Sequence, residues 1–157
     1  MPVPEFIREI RKKIGNDPLW LPGVRGVVLD EENRVLLCQR ADNGRWTLIT
    51  GMLEPGEHPA PGLLREIFEE TAVVAETERI LAVGVIGPVT YPNGDVCDFL
   101  DIAFKCRYVS GEARVNDDES IAVGWFALDE LPEISAGHRE TIRLALEPGS
   151  AVAYQRD

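Results

Sequence analysis

The sequence predicts an α/β fold in which a mixed sheet is packed between helices. Segments rich in β-branched and aliphatic residues are interrupted by stretches of helical periodicity, without the regular strand-helix-strand repeat of a parallel sheet. An Asn-Gly pair at 93–94 marks a tight hairpin, because both central residues of a type I′ turn need positive φ. At 157 residues and 45% hydrophobic, the chain has the size of one domain with one core, and no internal repeat or long linker divides it.

Taken in order, Phe6, Ile7, Ile10 and Ile14 recur at helical spacing among charged residues, which predicts an amphipathic helix over 4–14. This helix is expected to lie on the body of the domain or on a partner chain, the latter giving a homodimer. Strands over 24–29 and 34–39 flank the turn-like Asp30-Glu31-Glu32-Asn33 and read as a hairpin. After the polar loop 41–45 comes a short strand over 46–50, ended by the Gly- and Pro-bearing run 51–56. A helix over 59–71 follows, then a strand over 80–89, the turn at 91–95 and a return strand over 97–108. The acidic loop 116–119 leads to a strand over 121–128, and a helix over 136–147 precedes an expected flexible tail at 149–157. Residues 1–20 are an N-terminal helical extension to this arrangement.

The net charge of −11, with a sequence pI near 4.6, argues against a nucleic-acid polymer as partner, since such binding rests on Lys and Arg neutralising phosphates. A small anionic substrate is still compatible with it, because a bound divalent cation reverses the field locally. No run of roughly 20 apolar residues is present to span a membrane. Three cysteines without a Cys-x-x-Cys pair suggest neither a disulfide framework nor a thiolate zinc site, so a reducing cytoplasm is the expected compartment.

On the 59–71 helix, Leu64, Ile67, Phe68 and Thr71 fall on one face, while Glu66, Glu69 and Glu70 gather opposite. Like charges three and four residues apart destabilise an isolated helix by roughly 0.2 to 0.5 kcal/mol per pair. They also stand toward the C-terminal end, where the helix dipole favours cations. Such a cluster is either a solvated acidic face or a site for a hard cation such as Mg²⁺ or Mn²⁺, whose repulsion-relieving charge and open coordination positions suit phosphate chemistry.

The spacing around these acids is specific. Gly51, five residues, Glu57, seven residues, then Arg65-Glu66-Ile67-Phe68-Glu69-Glu70-Thr71-Ala72-Val73 resembles the Nudix box, Gly-x5-Glu-x7-Arg-Glu-U-x-Glu-Glu-x-Gly-U, with U apolar. Ala72 stands where the pattern has Gly, a position that normally supplies an easy positive-φ exit from the helix. The likeness extends to 24–50 and 78–128, and it implies a Nudix-type α/β/α sandwich with a mixed β-sheet.

The resemblance implies that Glu66, Glu69 and Glu70 bind the divalent ions, with the Gly51 carbonyl as a further ligand. It leaves Glu66 open as a partial general base and makes Arg65 and Glu57 partners that orient the ligands. Glu119, six residues before Trp125, resembles a later catalytic carboxylate of the family; Asp117 and Asp118 are its rivals, and a plain acidic turn is the alternative. Arg25, Arg40 and Tyr91 are candidate substrate-binding residues, although the two arginines are as readily explained by pairing with nearby acids. Trp46 and Cys38 read as core, and His58 and His138 have no partner at ligand spacing.

The activity implied is Mg²⁺-dependent hydrolysis of a phosphoanhydride bond, Mn²⁺ being a substitute, in a small nucleotide-derived substrate. Pro88 lies fifteen residues beyond Val73, a distance at which family members that hydrolyse ADP-ribose often carry proline, so ADP-ribose leads over nucleoside triphosphates, dinucleoside polyphosphates and nucleotide sugars. Tyr91 makes that signal mixed. The competing readings are a (d)NTP pyrophosphohydrolase of the sanitising type and a nucleotide-binding module of the same fold without hydrolysis, which loss of the acids would mark; here they are intact.

Overall fold

A computed structural model describes residues 3–156; Met1, Pro2 and Asp157, at the far ends of the expected N-terminal extension and C-terminal tail, lie outside the described residues. The elements are α1 (Glu5–Ile14), β1 (Leu19–Leu29), β2 (Val35–Arg40), β3 (Trp46–Thr47), β4 (Ile49–Met52), α2 (Pro59–Thr71), β5 (Val74–Thr90), β6 (Val96–Ser110), β7 (Ser120–Phe126) and α3 (Ala136–Leu146). Strands follow the order β3-β2-β1-β6-β5, with β4 joined to β1 and β7 to β2. Of the strand pairs among the described residues, β1 and β6 run parallel and the others antiparallel, so the sheet is mixed.

Alternation along β1 sorts the interior into two layers. Val24 and Val28 pack with Leu36, Ile49 and, from α2, Leu63 and Ile67. Val27 and Leu29 point the other way and pack with Leu37, Leu48 and, from α3, Ile142 and Ala145. The sheet is thus covered by α2 on one face and α3 on the other, an α/β/α sandwich. Trp46 is packed as expected, edge-on against Phe126 with ring centroids 4.8 Å apart.

Several boundaries differ from the sequence reading. β1 begins at Leu19, five residues before the expected start, and continues through Pro22 and Gly23 because parallel pairing with β6 runs the full length from Leu19 opposite Cys97 to Leu29 opposite Arg107. β5 begins directly after α2 at Val74, and the 46–50 strand is split into β3 and β4, which pair with different neighbours, β2 and β1. Phe68, placed on the packed face of α2 by periodicity, is 51% exposed, because the face turned to the sheet carries Leu63, Glu66, Ile67, Glu70 and Thr71. The stretch expected to be a flexible tail is hydrogen-bonded to β5, where Ala153 N donates to Leu81 O and Val83 N donates to Ala153 O.

α1 lies on its own domain. Ile7 is buried with Leu21 and Cys97, and Phe6, Met52, Tyr91 and Phe99 pack around them, while Ile10 stays open to solvent. Among the described residues no helix is long and apolar enough to cross a membrane.

Candidate active site

Glu66 and Glu70 are 3% and 5% exposed, so the acids of α2 are not a solvated face. Burying a carboxylate is costly unless a partner or cation compensates it. Burial pushes the Glu66 carboxyl up to about 7 against the nearby Arg65 guanidinium, with Glu69 and Glu119 adding repulsion. Burial likewise pushes Glu70 up to about 8; the Cys38 thiol, donating to Glu70 Oε2 at 3.3 Å, opposes the rise, and Glu119, Glu66 and Asp117 add to it. Cys38 itself is core, as its sequence context indicated, and burial raises its thiol to about 12.

The seat of Glu66 is made by Gly51 on β4. A Cβ added to Gly51 would coincide with the Glu66 side chain, with Oε1 at 2.7 Å from it, so the absence of a side chain at 51 lets the carboxylate lie over the strand beside the Gly51 backbone. β4 is held at this level by its ladder with β1, where Gly51 is opposite Val24.

Arg65 ties the site together. Its Nε and Nη2 grip the two oxygens of Glu57 at 2.8 and 2.9 Å, and Nη1 donates to Glu66 Oε1 at 2.9 Å and Glu69 Oε2 at 3.1 Å. This fork holds the Glu57 carboxyl below its usual range and fixes the loop before α2 against the helix. Glu69 is the more open member of the acid cluster, its side chain 39% exposed.

The acidic loop before β7 is drawn to the same place by the end of α2. Carbonyls of the last turn accept from this segment: Arg114 N donates to Thr71 O at 3.1 Å, Asn116 N to Glu70 O at 3.2 Å, and Asn116 Nδ2 to Phe68 O at 3.0 Å. On its other side Ala41 N donates to Glu119 O at 2.7 Å. Glu119 therefore stands within electrostatic reach of both Glu66 and Glu70.

α2 ends at Ala72 in the left-handed conformation, φ 58° and ψ 15°, with its N–H donating to Phe68 O at 2.9 Å. The positive-φ exit is kept although the residue is Ala. The carbonyl of Ala72 abuts Gly111, where an added Cβ would collide with it, so the helix exit and the end of β6 are packed backbone to backbone.

The NUDIX domain family matches residues 19–145 of this chain, the span that carries the sheet, α2 and most of α3. The chain belongs to the Nudix family. A MutT-like protein from Streptomyces ambofaciens is 37% identical over 116 residues, covering 74% of this chain and 70% of that one. An ADP-ribose pyrophosphatase from Methanocaldococcus jannaschii is 30% identical over 119 residues, covering 74% and 68%. Among solved structures, a MutT NUDIX hydrolase from Burkholderia pseudomallei aligns with a TM-score of 0.64 at 28% identity over 82% of this chain and 98% of that one. An ADP-ribose pyrophosphatase from Streptococcus suis shares the fold, with a TM-score of 0.65 at 22% identity over 84% and 96%. The protein is a Nudix hydrolase.

Nudix hydrolases generally use a divalent metal ion, and the donor set here fits one in chemistry: carboxylate oxygens of Glu66, Glu69 and Glu70 on one helix, with the Glu66 side chain lying over Gly51. Burial raises Glu66 and Glu70, and a cation would offset both that cost of burying charge and the added repulsion from Glu119. Among the described residues no three such side chains already surround one point, since Arg65 holds Glu66 and Glu69 while Cys38 holds Glu70.

The three substrate-binding candidates of this Nudix hydrolase are placed differently from one another. Arg40 donates to both Asp42 oxygens, at 2.9 and 2.7 Å, and feels the charges of Glu119 and Tyr91. The Tyr91 hydroxyl, raised by burial, in turn feels Arg40, Asp42 and Glu119, so these two residues border the acid cluster. Arg25 projects from the α3 face of β1 and is paired with Asp101, Nε to Oδ2 being 3.1 Å. It lines a cavity of about 540 Å³ with Ile86, Gly137 and His138. His138, which carried no sequence signal, is sequestered there: its Nδ1 is buried without a hydrogen-bond partner among the described residues, and burial beside Arg25 lowers its pKa to about 4.

Proposed function

We propose that this Nudix hydrolase splits a phosphoanhydride bond in a nucleoside diphosphate linked to another group, with ADP-ribose as the leading substrate, in a Mg²⁺-dependent reaction that Mn²⁺ also supports. The reading is carried by the burial of Glu66 and Glu70 beside Gly51, with Glu119 in electrostatic reach of both. Glu66, Glu69, Glu70 and the Gly51 carbonyl would hold the ion. Once bound, it supplies a Lewis acid that neutralises phosphate charge and makes water a better nucleophile.

The chain's own groups do the positioning. Arg65 fixes Glu66 and Glu69 against the loop through Glu57, so the carboxylates are oriented before substrate arrives. Glu66 or Glu119 takes the proton of the attacking water at a carboxylate oxygen. No covalent nucleophile is required, because positioning and electrostatics carry phosphoryl transfer. Arg40 and Tyr91 border the acids and are assigned to the phosphate-proximal part of the substrate. Arg25 faces the opposite side of the sheet, paired with Asp101 and apart from the acids of α2.

ADP-ribose is supported by Pro88, which falls where the β5-β6 register shifts between Ile86 and Val89, two residues from the cavity-lining Ile86, and by the relative named ADP-ribose pyrophosphatase. The alternative, a second reading, is hydrolysis of a nucleoside triphosphate, which the same intact acids would serve. A panel of ADP-ribose, ATP, dGTP, diadenosine polyphosphates and UDP-glucose, with product analysis, separates them. The proposal expects the highest kcat/KM for ADP-ribose with release of AMP and ribose 5-phosphate. Preferred cleavage of a triphosphate with pyrophosphate release would replace it with the second reading.

A further inference from the structure

We propose that α1, which precedes the family-matched residues 19–145, forms part of the substrate site, and that Arg11 is a positioning residue that sets Tyr91 through the β5-β6 turn. The inference rests on the reading that Tyr91 meets the substrate.

The Arg11 guanidinium joins three segments. Nη1 donates to Gly15 O at 3.0 Å and Asp17 O at 2.5 Å, closing the exit of α1. Nη2 donates to Val96 O at 3.0 Å, and Nε faces Asp95 Oδ1 at 3.3 Å, both on the far side of the turn. Asp95 O accepts from Tyr91 N at 2.9 Å, and Tyr91 O accepts from Gly94 N at 2.9 Å, so holding Asp95 holds Tyr91. Asn16 adds a donor to Asn93 O at 3.5 Å. The guanidinium presents Nη1 and Nη2 in one fixed plane to Gly15 O, Asp17 O and Val96 O while its charge faces Asp95, which a lysine ammonium on a flexible stem does not reproduce.

The apolar side of α1 reaches the same residue. Ile7 is buried with Leu21 and Cys97, and Tyr91 and Met52 pack on this cluster; Met52 directly follows Gly51, the seat of Glu66. Tyr91 is therefore held from below by α1 and its turn while its hydroxyl feels Arg40, Asp42 and Glu119. A helix that only stapled the domain would have no consequence for substrate affinity. This one fixes a side chain at the border of the acid cluster.

The experiment compares the full-length protein with Arg11→Lys, Tyr91→Phe and the double variant, reading hydrogen exchange over residues 91–97 and kcat and KM for whichever panel substrate is cleaved most efficiently. Tyr91→Phe keeps the ring in its packing and removes the hydroxyl. Expected are faster exchange at 91–97 in Arg11→Lys, KM raised about tenfold in each single variant with kcat nearly kept, and a double variant no worse than about tenfold, because both changes act through one side chain. Unchanged KM in either single variant, or effects that multiply to about a hundredfold, would overturn the proposal. If no panel member is cleaved, the proposed function fails separately; exchange at 91–97 then decides, acceleration in Arg11→Lys supporting the positioning role and no change overturning it.

Discussion

The side chain of Glu66 fills the space that a Cβ on Gly51 would need. The first box residue and the first acid of the helix are thus a steric pair, and the glycine is required by contact as well as by any coordination through its carbonyl. Gly51→Ala should expel Glu66 from its seat. The expected loss in kcat/KM is about 100-fold or more, equivalent to about 2.7 kcal/mol of transition-state stabilisation. Steady-state kinetics on a variant shown to be folded by circular dichroism makes the check, and wild-type activity would show that Glu66 is not needed where it stands.

Ala72→Gly tests the helix exit. Residue 72 has φ 58°, a conformation that disfavours a Cβ, while glycine loses more freedom on folding. The balance predicts stability equal to wild type or higher by about 0.5 to 1 kcal/mol, with kcat/KM unchanged. Urea denaturation measures it, and a clear destabilisation would contradict the left-handed assignment.

His138 gives the fold a pH dependence of defined sign. Burial, reinforced by Arg25, lowers its pKa to about 4 from the ordinary 6.5. As pH falls, the unfolded chain takes up this proton first, so the contribution is complete above pH 6.5 and is lost as pH drops toward 4. Between pH 7.5 and 4.5 the loss is about 2 to 3 kcal/mol. Glu66 and Glu70, whose raised values act in the opposite direction, are common to wild type and His138→Gln, so the difference between the two isolates the histidine. Parallel stability-pH curves, or an NMR titration of His138 near 6.5, would reject it.

Local signals made α2 legible in the sequence: its span of 59–71 follows from periodicity and from the Pro-Gly run before it. The box spacing marked Gly51, Glu57, Arg65 and the three acids, because fixed gaps survive without knowledge of the fold. The early start of β1 was hidden by Pro22, which reads as a break; only the parallel partner β6, distant in sequence, makes 19–23 a strand. The side of Arg25 was recoverable from strand alternation, since Val24 and Val28 share one face and Arg25 and Val27 the other. The thiol of Cys38 on Glu70 and the burial of His138 arise from elements brought together by the sheet and α3, and no local pattern announces them.

The most direct test measures hydrolysis of the best panel substrate by wild type in Mg²⁺ and in excess EDTA, alongside Glu70→Gln in Mg²⁺. Glutamine keeps the shape of residue 70 and removes a ligand charge. The account predicts that EDTA abolishes turnover, that Mg²⁺ or Mn²⁺ restores it, and that folded Glu70→Gln loses about 100-fold or more in kcat/KM. Turnover that persists in EDTA, or near-normal activity in folded Glu70→Gln, would contradict it.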